Sequence, residues 1–166
     1  KATTFINEMK SMEFSVEAAN EILHLPRLSD PAKDAALKGT DIELENVSFA
    51  YEGNQKDAVL HQVSLSMPEG SFTALVGPSG GGKSTIARLI ARFWDVTEGR
   101  ITIGGINVKE MPIKQLSNLV SFVTQDNFLF RCSILENIRL GNPAASDEEV
   151  KAAARAAQCE EFILKL

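Results

Sequence analysis

Gly77-Pro78-Ser79-Gly80-Gly81-Gly82-Lys83-Ser84 is the stretch on which the reading of this chain turns. It fits G-x-x-x-x-G-K-[ST]. A uniformly apolar run, Phe72-Thr73-Ala74-Leu75-Val76, leads straight into it, and Ile86, Ala87, Ile90 and Phe93 mark a helix after it. Buried strand, glycine loop and helix form the setting in which this pattern cradles phosphate. The glycines let consecutive backbone N–H groups converge, and a helix opening near Lys83 adds the positive end of its dipole. Lys83 supplies a point charge for β- and γ-phosphates, and Ser84 offers its hydroxyl to Mg²⁺. Thr85 joins residues 77 to 84 in the candidate cofactor-binding set. The loop alone says nucleoside triphosphate, not which one.

Upstream of the loop, Ile42 and Leu44 alternate with Glu43 and Glu45, and the alternation resumes at Val47 and Phe49 after a one-residue slip at Asn46. That pattern predicts a half-buried strand with a bulge. Val63, Leu65 and Met67 alternate with Ser64 and Ser66 in a second strand, antiparallel to the first, before a Pro68-Glu69-Gly70 turn. The run at residues 72 to 76 reads as a strand covered on both faces. Downstream, Gly99 and Gly104-Gly105 bracket a short strand, a helix is expected near residues 113 to 119, and an apolar strand at residues 120 to 124. Ser133 with Glu136 and Ser146 with Glu149 predict two capping boxes, the second opening an Ala-rich helix that runs toward Phe162. Phe93 and Trp94 read as core packing.

Further toward the start, Phe5, Met9, Met12, Val16, Ala19 and Leu23 recur at steps of four and three, one stripe of a helix that Pro26 ends. Residues 29 to 40 carry Pro31, Gly39, Asp30 and Asp34 without periodicity and read as a linker.

The 166 residues are 44% hydrophobic and 23% charged, ordinary for one globular domain or most of one. A net charge of −5 without a block of Lys or Arg argues against nucleic acid and anionic membrane surfaces. Cys132 and Cys159 lack the spacing of a metal site and read as reduced. No apolar run reaches the about 18 residues of a membrane span, and the chain opens on Lys1, like an excised piece.

Three further stretches extend the reading. Phe49-Ala50-Tyr51 closes the first strand, Val123-Thr124-Gln125-Asp126-Asn127-Phe128-Leu129-Phe130 follows an apolar run, and Ser133-Ile134-Leu135-Glu136-Asn137-Ile138 opens a helix. With the glycine loop, they make the chain resemble the nucleotide-binding domain of ATP-binding cassette exporters from about Asp41 onward. The implied fold is α/β, a P-loop NTPase core with an antiparallel β-subdomain, incomplete at its C-terminus. By that resemblance residues 1 to 28 are the cytoplasmic end of a transmembrane-domain helix, and residues 41 to 166 the first part of the nucleotide-binding domain. Tyr51 stacks on adenine, using a π-face that a phenylalanine also has. Gln125 contacts Mg²⁺ or the attacking water and is the catalytic candidate, with the adjacent loop facing the transmembrane domain. The implied cofactors are ATP and Mg²⁺. The implied partners are the transmembrane domain of the same chain and a second nucleotide-binding domain, the same or different, at the cytoplasmic face of a membrane.

The resemblance also marks what the sequence lacks. Leu-Ser-Gly-Gly-Gln does not occur, no apolar strand ends in Asp-Glu, and the two histidines, His24 and His61, both precede Gln125. The intact protein is then an ATP hydrolase that drives export, while this stretch binds ATP and lacks what aligns water for attack. A second reading is a soluble ATP-dependent regulatory or binding module. Several apolar spans of about 20 residues upstream of Lys1 decide for the transporter.

Overall fold

The computed structural model describes residues 16, 20, 23, 27–51, 57–124 and 128–165. Two compact units divide the chain, one up to Phe122 and one from Val123 onward.

The first unit is built on a four-stranded antiparallel sheet of order β2-β1-β3-β4, with β1 Ile42–Phe49, β2 Leu60–Met67, β3 Glu98–Ile103 and β4 Ile106–Asn107. The slip expected at Asn46 is a real irregularity. β1 pairs Leu44 with Leu65 and then Val47 with Val63, so the register against β2 shifts between them. Asn46 takes φ 47°, one of the few side chains that tolerate the left-handed region, and its N–H donates to Ser64 Oγ at 3.0 Å. The shift keeps Leu44, Val47 and Phe49 all buried, which strict alternation through Asn46 would prevent.

The helix α1, Lys83–Ile90, adds Ile86, Leu89 and Ile90 to the same buried cluster as Leu44, Val47, Phe49, Ile101 and Ile103. Each such side chain contributes about 1.5–3 kcal/mol when taken from water. A 3₁₀ turn, Val108–Glu110, and the helix α2, Ile113–Leu119, close the unit with Val108, Met111 and Leu116.

Two expected strands are not formed. Residues 72 to 76 pair with no described strand, and Phe72 and Val76 are 97% and 88% exposed; only Leu75 packs against the core. Residues 120 to 124 likewise carry no ladder, and Val123 is 91% exposed. An apolar run signals a strand only where a neighbour completes its backbone hydrogen bonds, and among the described residues no strand lies beside either run.

The segment read as a linker has neither helix nor strand, but it is fastened to the unit. Gln115 clamps Ala35 from both sides, accepting its N–H and donating to its carbonyl at 2.8 Å each. Asp30 accepts the N–H of Ile113 at 2.9 Å and so caps α2, whose N-cap Pro112 has no side-chain oxygen. Of the expected N-terminal stripe, Val16 and Leu23 are helical and exposed; Phe5, Met9, Met12 and Ala19 lie outside the described residues.

The second unit holds α3 Ile134–Arg139, α4 Asp147–Ala156 and α5 Glu160–Ile163. Ser146 and Glu149 form the reciprocal capping box. At α3 only half of the expected box exists: Ser133 Oγ accepts from the Glu136 N–H, while the Glu136 carboxylate turns to Arg139 at 3.2 Å. The Ala-rich helix stops at Ala156 rather than running to Phe162, because Gln158 takes φ 57° and breaks the spiral before α5 begins.

Candidate functional site

The glycine loop runs from the exposed segment 72–76 into α1. Gly80 and Gly82 take φ 79° and 80°, the left-handed region that lets the backbone reverse twice within three residues. A Cβ at Gly82 would also lie 2.6 Å from Leu60 Cδ2, so the buried Leu60 side chain would have to shift to admit one. Gly82 caps α1 without a side-chain hydrogen bond, so the first-turn N–H groups of α1 have no side-chain acceptor from the cap and face the loop end. A helix start in that state favours an anion.

Lys83 folds its ammonium over the loop, donating to the carbonyls of Gly77 at 3.0 Å and Pro78 at 2.7 Å. The cation is thus held at the mouth of the loop by acceptors that a phosphate oxygen can replace. Ser84, next to it, is exposed. Its hydroxyl is a hard oxygen donor at the first turn of α1 and fits an ion such as Mg²⁺ that keeps most of its shell as water and phosphate oxygen. No group of three or more His, Cys, Asp or Glu that could hold a metal exists among the described residues.

Tyr51 stands just past the end of β1 and reaches the first turn of α1. Its hydroxyl shares a hydrogen bond with Thr85 Oγ1, 3.0 Å between oxygens. Its ring meets Phe49 at 4.9 Å and Trp94 at 5.1 Å, both edge-on. Trp94, read from sequence as core packing, is 38% exposed and belongs to this aromatic group. Nothing in the local pattern around Trp94 marks that role; the contact is made across the sheet and helix. The structure therefore brings together Tyr51, Thr85, Lys83, Ser84 and the loop glycines in one unit. Gln125 lies outside the described residues, as do Asp126 and Asn127.

The second unit holds a mostly apolar groove of about 240 Å³ lined by Ile134, Ile138, Val150, Ala154 and Ile163, with Lys151 and Glu160 also on its wall. It has no glycine loop of the kind that receives phosphate. In that unit Asn137 holds the turn before α3, accepting the Phe130 N–H at 2.8 Å and donating to the Ser133 carbonyl at 2.9 Å. Phe128 and Phe130 stack edge-to-face at 5.1 Å and stay largely exposed.

Comparison with known proteins bears on this geometry. Residues 60–165 match the ABC transporter family. The chain is 43% identical over 163 residues to the "Putative multidrug export ATP-binding/permease protein YgaD" of Bacillus subtilis, covering 98% of this chain and 28% of that protein. It is 48% identical over 126 residues to the "Uncharacterized ABC transporter ATP-binding protein YknV" of the same organism, covering 76% of this chain and 20% of that protein. Among solved structures it is similar to a bacterial Atm1-family ABC exporter with ATP bound, with a TM-score of 0.82 and 35% identity, covering 95% of this chain and 28% of that one. The chain thus spans about a quarter of the length of the relatives it matches.

Proposed function

The chain belongs to the ABC transporter family, and from that premise we propose that it is the ATP-binding part of an exporter's motor domain, holding Mg-ATP through residues 77 to 84 and Tyr51. The observation that carries this reading is the loop itself. First-turn N–H groups with no side-chain cap, a lysine ammonium donating to loop carbonyls and an exposed serine meet within eight residues. Each is a group that gains from a polyphosphate and has no role in the hydrophobic cluster.

In this reading the triphosphate replaces the Gly77 and Pro78 carbonyls on the Lys83 ammonium, and the first-turn N–H groups take the remaining phosphate oxygens. Ser84 would hold Mg²⁺ beside the phosphates, where the ion would neutralise phosphate charge. Tyr51 offers its ring to the base. By the family resemblance, Gln125 is the proposed contact to Mg²⁺ or the attacking water. The parent protein hydrolyses ATP to drive export. This chain binds without turnover, since a charged cradle lowers the energy of bound phosphate without aligning water. The segment before Asp41 joins it to a transmembrane domain of the same chain at the cytoplasmic face, and a second nucleotide-binding domain completes the working pair. No helix among the described residues is long and apolar enough to cross a membrane.

A phosphate-release assay on the chain tests the separation of binding from catalysis. Background release with measurable Mg-ATP binding is expected. Release that disappears in Lys83→Ala contradicts it, because a catalytic carboxylate must then lie within these residues.

A further inference from the structure

The Tyr51 side chain is fixed at three points. Phe49 and Trp94 meet its ring edge-on, and Thr85 Oγ1 holds the far end through the hydroxyl bond of 3.0 Å. The two aromatic contacts settle the ring plane, and the hydroxyl bond settles where the ring ends. Thr85 lies in the first turn of α1, yet it is only 6% exposed, whereas the adjacent Ser84 is open to solvent. Of two neighbouring hydroxyls in the loop motif, one faces outward and the other is engaged by Tyr51.

We propose that Thr85 is a positioning residue of the nucleotide site: its hydroxyl anchors Tyr51, so that the ring is set for a base before any ligand arrives. The proposal rests on the reading of the loop as a nucleotide cradle. A ring already held in place loses less freedom when a base stacks on it, so the bond adds to base-dependent affinity. It also ties the end of β1 to the first turn of α1 across 34 residues of sequence, coupling the base end of the site to its phosphate end. Stacking by itself uses only the π-face and predicts that Tyr51→Phe is tolerated. The anchor predicts that it is not.

Calorimetric titration of the whole chain with Mg-ATP and with Mg-tripolyphosphate, which lacks base and sugar, separates the two. Tyr51→Phe and Thr85→Val should each reduce the preference for Mg-ATP over Mg-tripolyphosphate by about 3- to 10-fold, the size of one hydrogen bond. The double variant should lose no more than either single variant, and Thr85→Ser should restore most of the preference. Thr85→Val fills the same buried volume; if it nevertheless fails to fold, Tyr51→Phe, which keeps the ring and both aromatic contacts, decides alone. An unchanged preference, or losses that multiply in the double variant, overturns the proposal and leaves the loop reading intact. Equal weakening of both ligands by Thr85→Val puts its hydroxyl on phosphate and overturns it as well. A chain that binds neither ligand overturns the nucleotide reading, and this proposal with it.

Discussion

Arg92 is a charged residue whose side chain is 1% exposed, just past the end of α1, and its replacement by methionine is a demanding test of how the first unit is held together. Its guanidinium donates to Asp95 Oδ1 at 3.0 Å, to the Met111 carbonyl at 3.2 Å, and to the Ser29 carbonyl and hydroxyl at 2.8 and 2.9 Å. Arg92→Met keeps much of the volume and removes all four bonds. The acceptors do not suffer equally. Met111 is fully buried, so its carbonyl loses a donor that water cannot replace, costing about 1–3 kcal/mol. Asp95 is 29% exposed and Ser29 exposed, so water takes over there and these losses add about 1–2 kcal/mol together. The left-handed backbone at φ 53° is equally strained for both side chains and cancels. The expected loss is about 3 kcal/mol, or roughly 2 M in urea midpoint at an m-value of about 1.5 kcal/mol/M. Amide exchange around Ser29 should rise further than exchange in β1, because two of the four bonds hold the segment at residues 27 to 40. A midpoint that moves by less than about 0.3 M would refute the reasoning, as the buried carbonyl would then have found another donor.

Three more expectations follow from particular side chains. Gly82→Ala should lose about 2 kcal/mol of stability or more, since it combines φ 80° with a Cβ 2.6 Å from Leu60 Cδ2, and a thermal melt reads it directly. Tyr51→Ala should weaken Mg-ATP by about 1–3 kcal/mol in calorimetry while tripolyphosphate binding holds, and parallel loss of both would make Tyr51 purely structural. The Ser146 N–H and then its hydroxyl hold the Glu149 carboxyl below the usual glutamate range. A depressed folded-state pKa stabilises above the unfolded value and is lost as pH falls through the folded one. The melting-temperature gap between the parent chain and Glu149→Gln should therefore be largest near neutrality and close in acid.

What was legible in the sequence was what local periodicity and capping chemistry control. The parity break at Asn46 foretold the register shift of β1, and Ser146 with Glu149 foretold a reciprocal box, because both signals span only three or four residues. The half-formed box at Ser133 shows the limit: Arg139, one turn on, competes for the same Glu136 carboxylate. Residues 72 to 76 misled for a different reason, since apolar composition reports what a segment can bury and not whether a ladder partner stands beside it. The turns of the glycine loop were legible in its spacing, and the contacts around Tyr51 were not. The Tyr51–Thr85 bond joins residues 34 apart and the Arg92–Ser29 bonds join residues 63 apart, with no periodic signal linking either pair. Trp94 looked like core for the same reason.

The central claim is that Gly77 to Ser84 cradle a nucleoside triphosphate, and calorimetric titration of Mg-ATP into the chain and into Lys83→Ala tests it most directly. The Lys83 ammonium donates to the Gly77 and Pro78 carbonyls and Lys83 is not among the buried cluster, so its removal should leave that cluster intact. Binding should be saturable and one-to-one and should fall at least about 10-fold in Lys83→Ala while the melting temperature without ligand stays within about 2 °C. Equal affinity in the two proteins, or a variant that loses binding only because it no longer folds, would contradict the claim.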